Sequence, residues 1–351
     1  MAESKRAVVR KGDLTEGGIV SKLTLFALPL IAGNIVNQLY NVADSVVVGN
    51  FVGSDALAAV GVCFSVMMCF NALFFGLSMG AGILIAQCFG AKRQKQLQDA
   101  VNTSFTLTLI LGAAITVLGA LLSRSILSLM QTPENIIDDA YTYIVIIFAG
   151  IPATYLYNLV SGVIRSMGDS KTPLIFLALA AFVNIGLDLL LIIVFPMGVA
   201  GAALATVIAQ TLASAYCLWK LCRIEVLAEK RKAAKWRLHA GLCGKLIYLG
   251  LPMAFQNLVI AIGGMIVQTV VNSFGVAFIA GYTATCKLYG ILEVAATSYG
   301  FAMVTYTGQN LGAGKTDRIK EGTRIGVLIG VLTSFVITGL MFLFGRNILG
   351  L

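Results

Sequence analysis

Long apolar stretches separated by short basic turns constrain this 351-residue chain more than any other feature. They lie at about 23–48, 57–89, 101–122, 141–164, 173–195, 199–221, 246–272, 276–309 and 324–344, and each reaches the roughly 20 residues a helix needs to cross hydrocarbon. Charged residues make up 12% of the chain, about half the share usual in soluble domains. Without water to satisfy the backbone, only helices and closed barrels span a bilayer, and runs of this length are helical. The expectation is an all-α membrane protein, a polytopic helical bundle of about nine spans.

The net charge of +9 does not point to nucleic acid. The basic residues recur in short clusters between apolar stretches, as in cytoplasmic loops, instead of collecting on one face or tail. The N-terminus and the even-numbered loops hold 22 of the 25 Lys and Arg residues. On the other side stand Arg124 and Arg346, and Lys287 falls inside a span. That asymmetry places the N-terminus in the cytoplasm of a plasma-membrane protein. Residues 1–22 read as a charged cytoplasmic leader lying along the membrane surface, with no cleavable signal. Seven cysteines without a CxxC pair read as buried thiols rather than a disulfide framework or zinc site. The lone His239 sits in a basic loop, which excludes a histidine-ligated metal or a histidine-based triad.

The longest polar stretch, about 220–245, divides the chain, and after it the sequence begins again. Leu28-Pro29 matches Leu251-Pro252 and Phe51 matches Phe274, at an offset of 223. Gln87-x2-Gly90-Ala91 matches Gln309-x2-Gly312-Ala313, and Arg124-x-Ile-Leu127 matches Arg346-x-Ile-Leu349, at 222. A constant offset across three spans is an internal duplication. The unit holds six spans, an even number, so the copies are parallel and related by an axis along the membrane normal. The reading is a two-lobed protein: an N-lobe at 23–222, a cytoplasmic basic linker at 223–245, and a partial C-lobe of three spans at 246–351. The second copy is incomplete here, since Leu351 corresponds to Leu129; a full copy would need about a hundred more residues, three spans at the roughly 20-residue minimum plus their loops.

Two acids lie deep in apolar stretches, Asp44 in the first and Asp188 in the fifth. Asn184 precedes Asp188 by four residues, which puts both on one helix face. A charged carboxylate near the bilayer centre costs about 2.5–3.5 kcal/mol, so two would remove about 5–7 kcal/mol from a net stability of about 5–15 kcal/mol. A proton, a bound cation or each other's surroundings must discharge them. Asp44 aligns with Val267 in the repeat, so helix packing does not require the acid, and an ion site confined to the N-lobe follows. Thr206, in the small-residue run Gly201-Ala-Ala-Leu-Ala-Thr206, adds a hydroxyl. Carboxylate, amide and hydroxyl oxygens together serve a hard cation such as Na⁺, with Asp44 and Asp188 as its charged ligands. The same cluster without a metal would hold protons, because desolvation and like charge both favour the neutral form. A third reading is a structural core of neutral, hydrogen-bonded acids.

These residues resemble the multidrug and toxic compound extrusion (MATE) family. The resemblance rests on Asn37-Gln-Leu-Tyr40-Asn-Val-Ala-Asp44, Asn184-x3-Asp188, Gly198-Val-Ala-Gly-Ala-Ala-Leu-Ala-Thr206, Gln87-x2-Gly90-Ala91 and Arg165-Ser-Met-Gly-Asp169, and covers nearly the whole chain. It implies a two-lobed antiporter that expels organic cations and other amphipathic compounds in exchange for Na⁺ or H⁺, without an organic cofactor and expected as a monomer. By motif match Asp44, Asn184, Asp188 and Thr206 take the cation-site positions. Tyr40, Asn37 and Asn158 are the expected substrate-cavity residues. Pro29, which removes one backbone donor, is either a tolerated membrane proline or a hinge.

Lys287 and Glu293, six residues apart, fall on different faces of the eighth span and could line a C-lobe cavity. Gly76-x3-Gly80 and Gly326-x3-Gly330 permit close helix approach. A flippase for a lipid-linked precursor shares this architecture but would need more basic residues inside than Lys287. A membrane-embedded binding protein that does not transport is a further alternative. No buried Ser/His/Asp set, metal-spaced histidines or phosphate loop supports an enzyme.

Overall fold

A computed structural model describes residues 12–130, 132–223, 239–272 and 276–349; for some helical residues within these bounds, Lys287 among them, the side chain is outside the described set. Residues 1–11 of the expected leader and 224–238 of the expected linker also lie outside it. The described residues form helices α1 (Ile19–Phe51), α2 (Ser54–Gly90), α3 (Gln94–Leu129), α4 (Glu134–Ser166), α5 (Lys171–Asp188), α6 (Gly198–Cys222), α7 (Ala240–Asn272), α8 (Val276–Gly312) and α9 (Thr316–Leu349). All but α8 contain a window long and apolar enough to cross a membrane among the described residues. The protein is a multi-pass membrane protein of all-α class. The helices overrun the apolar stretches at most ends because polar residues can continue a helix beyond hydrocarbon; α7 takes in Ala240–Lys245, which the sequence suggested as linker.

Apolar side chains surround most of these helices, as expected where the outer solvent is lipid. Leu25, Leu39, Leu121, Phe182 and Phe335 are among many large apolar residues left exposed. Close packing is reserved for the helix contacts. One core joins α2, α3, α4 and α6 around Ile85, Leu97, Val160 and Cys217, and a second joins α2, α3 and α4 around Cys63, Phe74, Phe148 and Tyr155. In the second, the Phe74 and Tyr155 rings stack at 3.7 Å.

Small residues set how the 240–349 portion meets the first six helices. A Cβ on Gly76 would fall 2.4 Å from Ala254 Cβ, and one on Gly80 would fall 2.6 Å from the Leu246 carbonyl oxygen. Gly250 of α7 faces the Gly76 carbonyl in return, at 2.6 Å. The Gly76-x3-Gly80 expectation therefore holds. Gly326 is likewise packed, against Met303, but Gly330 has open space around it. The paired motifs meet reciprocally: a Cβ on Gly90 would lie 1.9 Å from the Gln309 carbonyl oxygen, and one on Gly312 would lie 2.0 Å from that of Gln87. Two copies facing one another across an axis make this kind of isologous contact. All these approaches sit toward the end of the bundle that carries Gly18, Lys92, Lys171, Lys245 and Lys315, called here the basic end.

Two sequence readings change at that end. Residues 12–18 do not lie out along a membrane surface: Leu14 and Thr15 are buried, and α1 already begins at Ile19. Arg165 is not a loop residue; it closes α4, with its guanidinium 5.8 Å from the Phe301 ring of α8. The motif that follows it is a turn. Gly168 adopts φ +86°, a left-handed conformation open to glycine without a Cβ penalty. Asp169 then caps α5, accepting the Lys171 and Thr172 backbone N–H groups at 3.1 and 3.0 Å.

The glycine contacts carry a stability expectation. A methyl group on Gly80 would press on Leu246 and Gly250 backbone, which cannot rotate away, so Gly80→Ala should cost about 1–3 kcal/mol. Gly330→Ala meets nothing and should be near neutral. Thermal unfolding of the purified protein in detergent reads both; equal melting temperatures for the two variants would contradict the packing described.

Candidate functional site

α5 is a regular helix up to Asp188 and then widens into a π-helical turn, Leu189–Val194. Turns of this kind collect at functional sites, because the extra residue shifts side chains out of helical register. Before it, Asn184 and Asp188 share one face as their spacing requires, and both are completely buried. α1 approaches this face with Tyr40 and Asp44, one turn apart. α6 brings Thr206, two turns past its start at Gly198.

The Thr206 hydroxyl is the hub. It accepts the Asn184 amide N–H at 3.3 Å and lies in hydrogen-bond contact with the Tyr40 hydroxyl at 3.4 Å, where either oxygen can donate. With its nitrogen committed there, Asn184 leaves Oδ1 buried without a donor. Both carboxyl oxygens of Asp188 and Oδ1 of Asp44 are in the same condition. The two carboxyl groups lie within hydrogen-bond reach of each other, so that one shared proton would join them, and no lysine or arginine is among the groups acting on them; the ion pair found among the described residues joins exposed Arg124 and Asp138. All four unpartnered atoms are oxygen acceptors. An unmade bond to a buried acceptor costs about 1–3 kcal/mol, more when the group is charged. Four of them amount to at least about 4–12 kcal/mol, as large as the whole net stability of a typical domain. Protons or a hard cation relieve that cost, and the donor set of carboxylate, amide and hydroxyl oxygens suits either.

The expected residues therefore divide. Asp44, Asn184, Asp188, Thr206 and Tyr40 come together. Asn37 does not join them; it stands on the exposed side of α1, accepting a bond from Asn41 at 3.3 Å. Asn158 donates to the Thr154 carbonyl of its own helix at 3.0 Å. It lies about 22 Å along α4 from the cluster's level, at 1.5 Å rise per residue. That level is marked by Tyr143 of α4, whose phenol is within electrostatic reach of Asp44, Asp188, Tyr40 and Cys63. The sequence offers no signal for Tyr143, one tyrosine among eleven. α1 runs unbroken through Pro29, and Glu293 is exposed on α8.

A second set of polar residues shares α1 with Tyr40 and Asp44. At 100° per residue, Tyr40, Asp44, Asn37, Asn41, Asn34, Ser45 and Gln38 occupy one arc of about 160° on α1. One edge of the arc is the acid cluster. At the other edge Asn34 Nδ2 donates to Ser298 Oγ of α8 at 2.9 Å, and Gln38 lies beside Gly290. Between them Asn37, Asn41 and Ser45 are exposed. The opposite arc, Ile35, Leu39, Val42 and Val46, is apolar and exposed. Polar side chains within a membrane are expected against water-filled space rather than lipid, and the Asn37–Asn41–Ser45 row marks the side of α1 where such space is expected.

Comparisons with known proteins agree with this architecture. The MatE family model matches residues 29–190 and 252–351, two segments that begin at the paired prolines. Over 88% of its length the chain is 33% identical to the probable multidrug resistance protein YpnP of Bacillus subtilis, covering 68% of that protein. It is 31% identical to YoeA of the same organism, another probable multidrug resistance protein, over 94% of this chain and 72% of that one. The fold matches a solved multidrug resistance MATE family transporter in an outward-facing conformation with TM-score 0.89, at 24% identity, covering 96% of this chain and 75% of the other. The chain belongs to the multidrug and toxic compound extrusion family, and is a transport protein rather than an enzyme.

Proposed function

We propose that this protein is a Na⁺- or H⁺-coupled antiporter that exports organic cations or amphipathic drugs by alternating access, with its ion site in the first six helices. The observation that carries this reading is the set of four buried oxygens on Asp44, Asn184 and Asp188, for which the protein offers no donor beyond a proton the two acids could share. Relatives described as probable multidrug resistance proteins support drugs as the substrate class.

The basic end faces the cytoplasm by the distribution of Lys and Arg. Asp44 is then about 10 Å from the outer end of α1, so the ion enters from outside, while the glycine contacts hold the cytoplasmic end shut. α1 joins ion to substrate. Its acid edge binds the ion, its middle row of Asn37, Asn41 and Ser45 faces the cleft where drug would sit, and its far edge holds α8. Filling the ion site pulls Tyr40 and Asp44 toward α5 and α6 and so reshapes the cleft wall. Pro29 leaves one backbone carbonyl of α1 without its helical donor, which makes that level the hinge. Ion and drug exchange when each favours a different position of α1.

Purified protein in liposomes, given a fluorescent cationic dye and an imposed Na⁺ or proton gradient, tests the reading. Dye should move against its own gradient with one of the two ions. Asp44→Asn and Asp188→Asn should each reduce movement to background while remaining folded in the membrane; full dye movement in both variants would refute the proposal.

Ion binding has an equilibrium signature as well. A ligand that binds only the folded state stabilises it, so the melting temperature of the protein should rise with Na⁺ concentration or with falling pH, whichever ion is used. In Asp188→Asn that dependence should disappear. Thr206→Val should lower the melting temperature without any ion, because the Asn184 amide and Tyr40 hydroxyl lose a shared partner, a cost of about 1–3 kcal/mol.

A further inference from the structure

We propose that the segment Gly12–Gly18 is a latch that holds the basic end closed and must be released in every transport cycle. The inference rests on the alternating-access reading above and adds a step to it.

The segment enters from the N-terminal side, passes between the ends of α4 and α8, and turns directly into α1 at Ile19. On one side it packs against the turn after α4 with no room for a side chain: a Cβ on Gly12 would lie 2.1 Å from the Met167 carbonyl oxygen. On the other side α8 grips its backbone. Gln309, completely buried, accepts the Leu14 N–H at 2.9 Å. Its amide nitrogen donates to the Gly12 carbonyl at 3.3 Å and to the Ser166 carbonyl of α4 at 3.0 Å. One side chain of the 240–349 portion thus ties together the strap and the end of α4. Asn310 reaches the Leu14 carbonyl at 3.4 Å, and Lys315 reaches that of Thr15 at 2.9 Å. Arg318 donates to the Gly17 carbonyl at 3.1 Å.

Two features distinguish this from an ordinary docked terminus. Leu14 is buried in the cluster where α1 meets α8, beside Leu23, Phe26, Ala302 and Tyr306. The strap is therefore wedged into the seam between the two parts of the molecule. The bonds also run almost entirely to strap backbone, so the grip depends on Gln309 and Asn310 rather than on strap side chains. Gln309 is the repeat counterpart of Gln87, and its neighbour Gly312 touches the Gln87 backbone. Any movement that parts α2 and α4 from α8 at this end separates Ser166 from Gln309, and the strap, continuous with α1, has to leave α8 with it.

A reversible cross-link and an accessibility measurement test this together. Glu16, exposed beside the strap carbonyl that Lys315 reaches, and Lys315 itself are replaced in the full chain, Glu16→Cys with Lys315→Cys, and joined with a short bis-methanethiosulfonate reagent. Dye movement in liposomes should stop on cross-linking and return on reduction, while the same reagent leaves the unsubstituted protein active. A cross-linked protein, verified by peptide mass, that moves dye at its reduced rate would overturn the latch. The second arm requires no transport. Ser78 lines a small cavity between α2, α4 and α8 with Arg165 and Phe301. In inside-out vesicles, Ser78→Cys should react with an impermeant maleimide several-fold faster when combined with Gln309→Leu than alone. Equal rates would overturn the latch even if the dye experiment had failed for reasons of substrate, and a rate increase without dye movement would sustain the latch while counting against drug export.

Discussion

A buried oxygen inside a bilayer has no water to fall back on, and the rest of this molecule is arranged around four such oxygens. Asn184 commits its amide nitrogen to Thr206, and the hydroxyl of Thr206 is shared with Tyr40. Among the described residues no donor other than a proton shared by the two acids is aimed at the remaining acceptors of Asp44, Asn184 and Asp188. A structural core of neutral acids could close a bond between the two carboxyls, which lie within reach of each other, but Asn184 Oδ1 would still lack a donor, and networks half satisfied are worse than apolar packing. The surplus is all of one sign. That condition suits the proposed site for a cation or protons better than the structural reading the sequence left open.

Such a site matters to a transporter only if its occupancy changes how the two parts of the molecule meet. The packing supplies the means. At the basic end, glycines let backbones touch, Gly76 and Gly80 against Gly250 and Leu246, Gly90 and Gly312 against opposite glutamines. Backbone contacts are stiff and either formed or lost, so this end has the character of a two-state joint. Away from it, among the described residues, α1 meets α8 through a part-buried side-chain bond, Asn34 to Ser298, and the approach of Gln38 to Gly290. A firm joint at one end and a lightly held cleft toward the other let a modest displacement of α1 alter the cleft without dismantling the fold.

Much of this was visible in the residues alone, for definite reasons. An acid in an apolar run is expensive, so Asp44 and Asp188 mark themselves, and the i, i+4 spacing fixes Asn184 on the same face. Small residues at i, i+4 announce a close approach, and Gly76 and Gly80 make one. Gly330 shows the limit of that rule, because it depends on a neighbour the pattern cannot supply. Asn37 and Asn158 carry the right chemistry, but distance along the helix keeps both from the acids: Asn37 shares Asp44's side of α1 but lies about 10 Å below it, and Asn158 is about 22 Å along α4 from Tyr143. Tyr143 and the π-helical turn after Asp188 were not legible: one is an ordinary tyrosine placed by tertiary packing, the other a backbone adjustment with no composition of its own. Residues 12–18 were not legible from charge, because their backbone groups and buried Leu14 decide where they lie.

The polar arc of α1 joins these observations. A helix with apolar residues on every face can slide or rotate in lipid at little cost, since each orientation buries equivalent surface. From Asn34 to Ser45, α1 lacks that freedom: about 160° of its circumference is polar, and turning it toward hydrocarbon would expose amides and a carboxyl. Below Ala27 the helix is fixed differently, by Leu23 and Phe26 in the seam with α8 and by the strap that leads into it. The same helix is thus held by polar contacts in one half and by apolar packing in the other, with Pro29 between them, where a backbone bond is already missing. Motion of the upper half about that point is the least costly large displacement the helix has. It changes the acid cluster, the cleft row and the contact with Ser298 at once, because all three are on one rigid cylinder. In the proposed antiporter, coupling between ion and substrate would need no chain of intermediates across the protein; it would follow from placing both proposed recognition surfaces on adjoining faces of one helix.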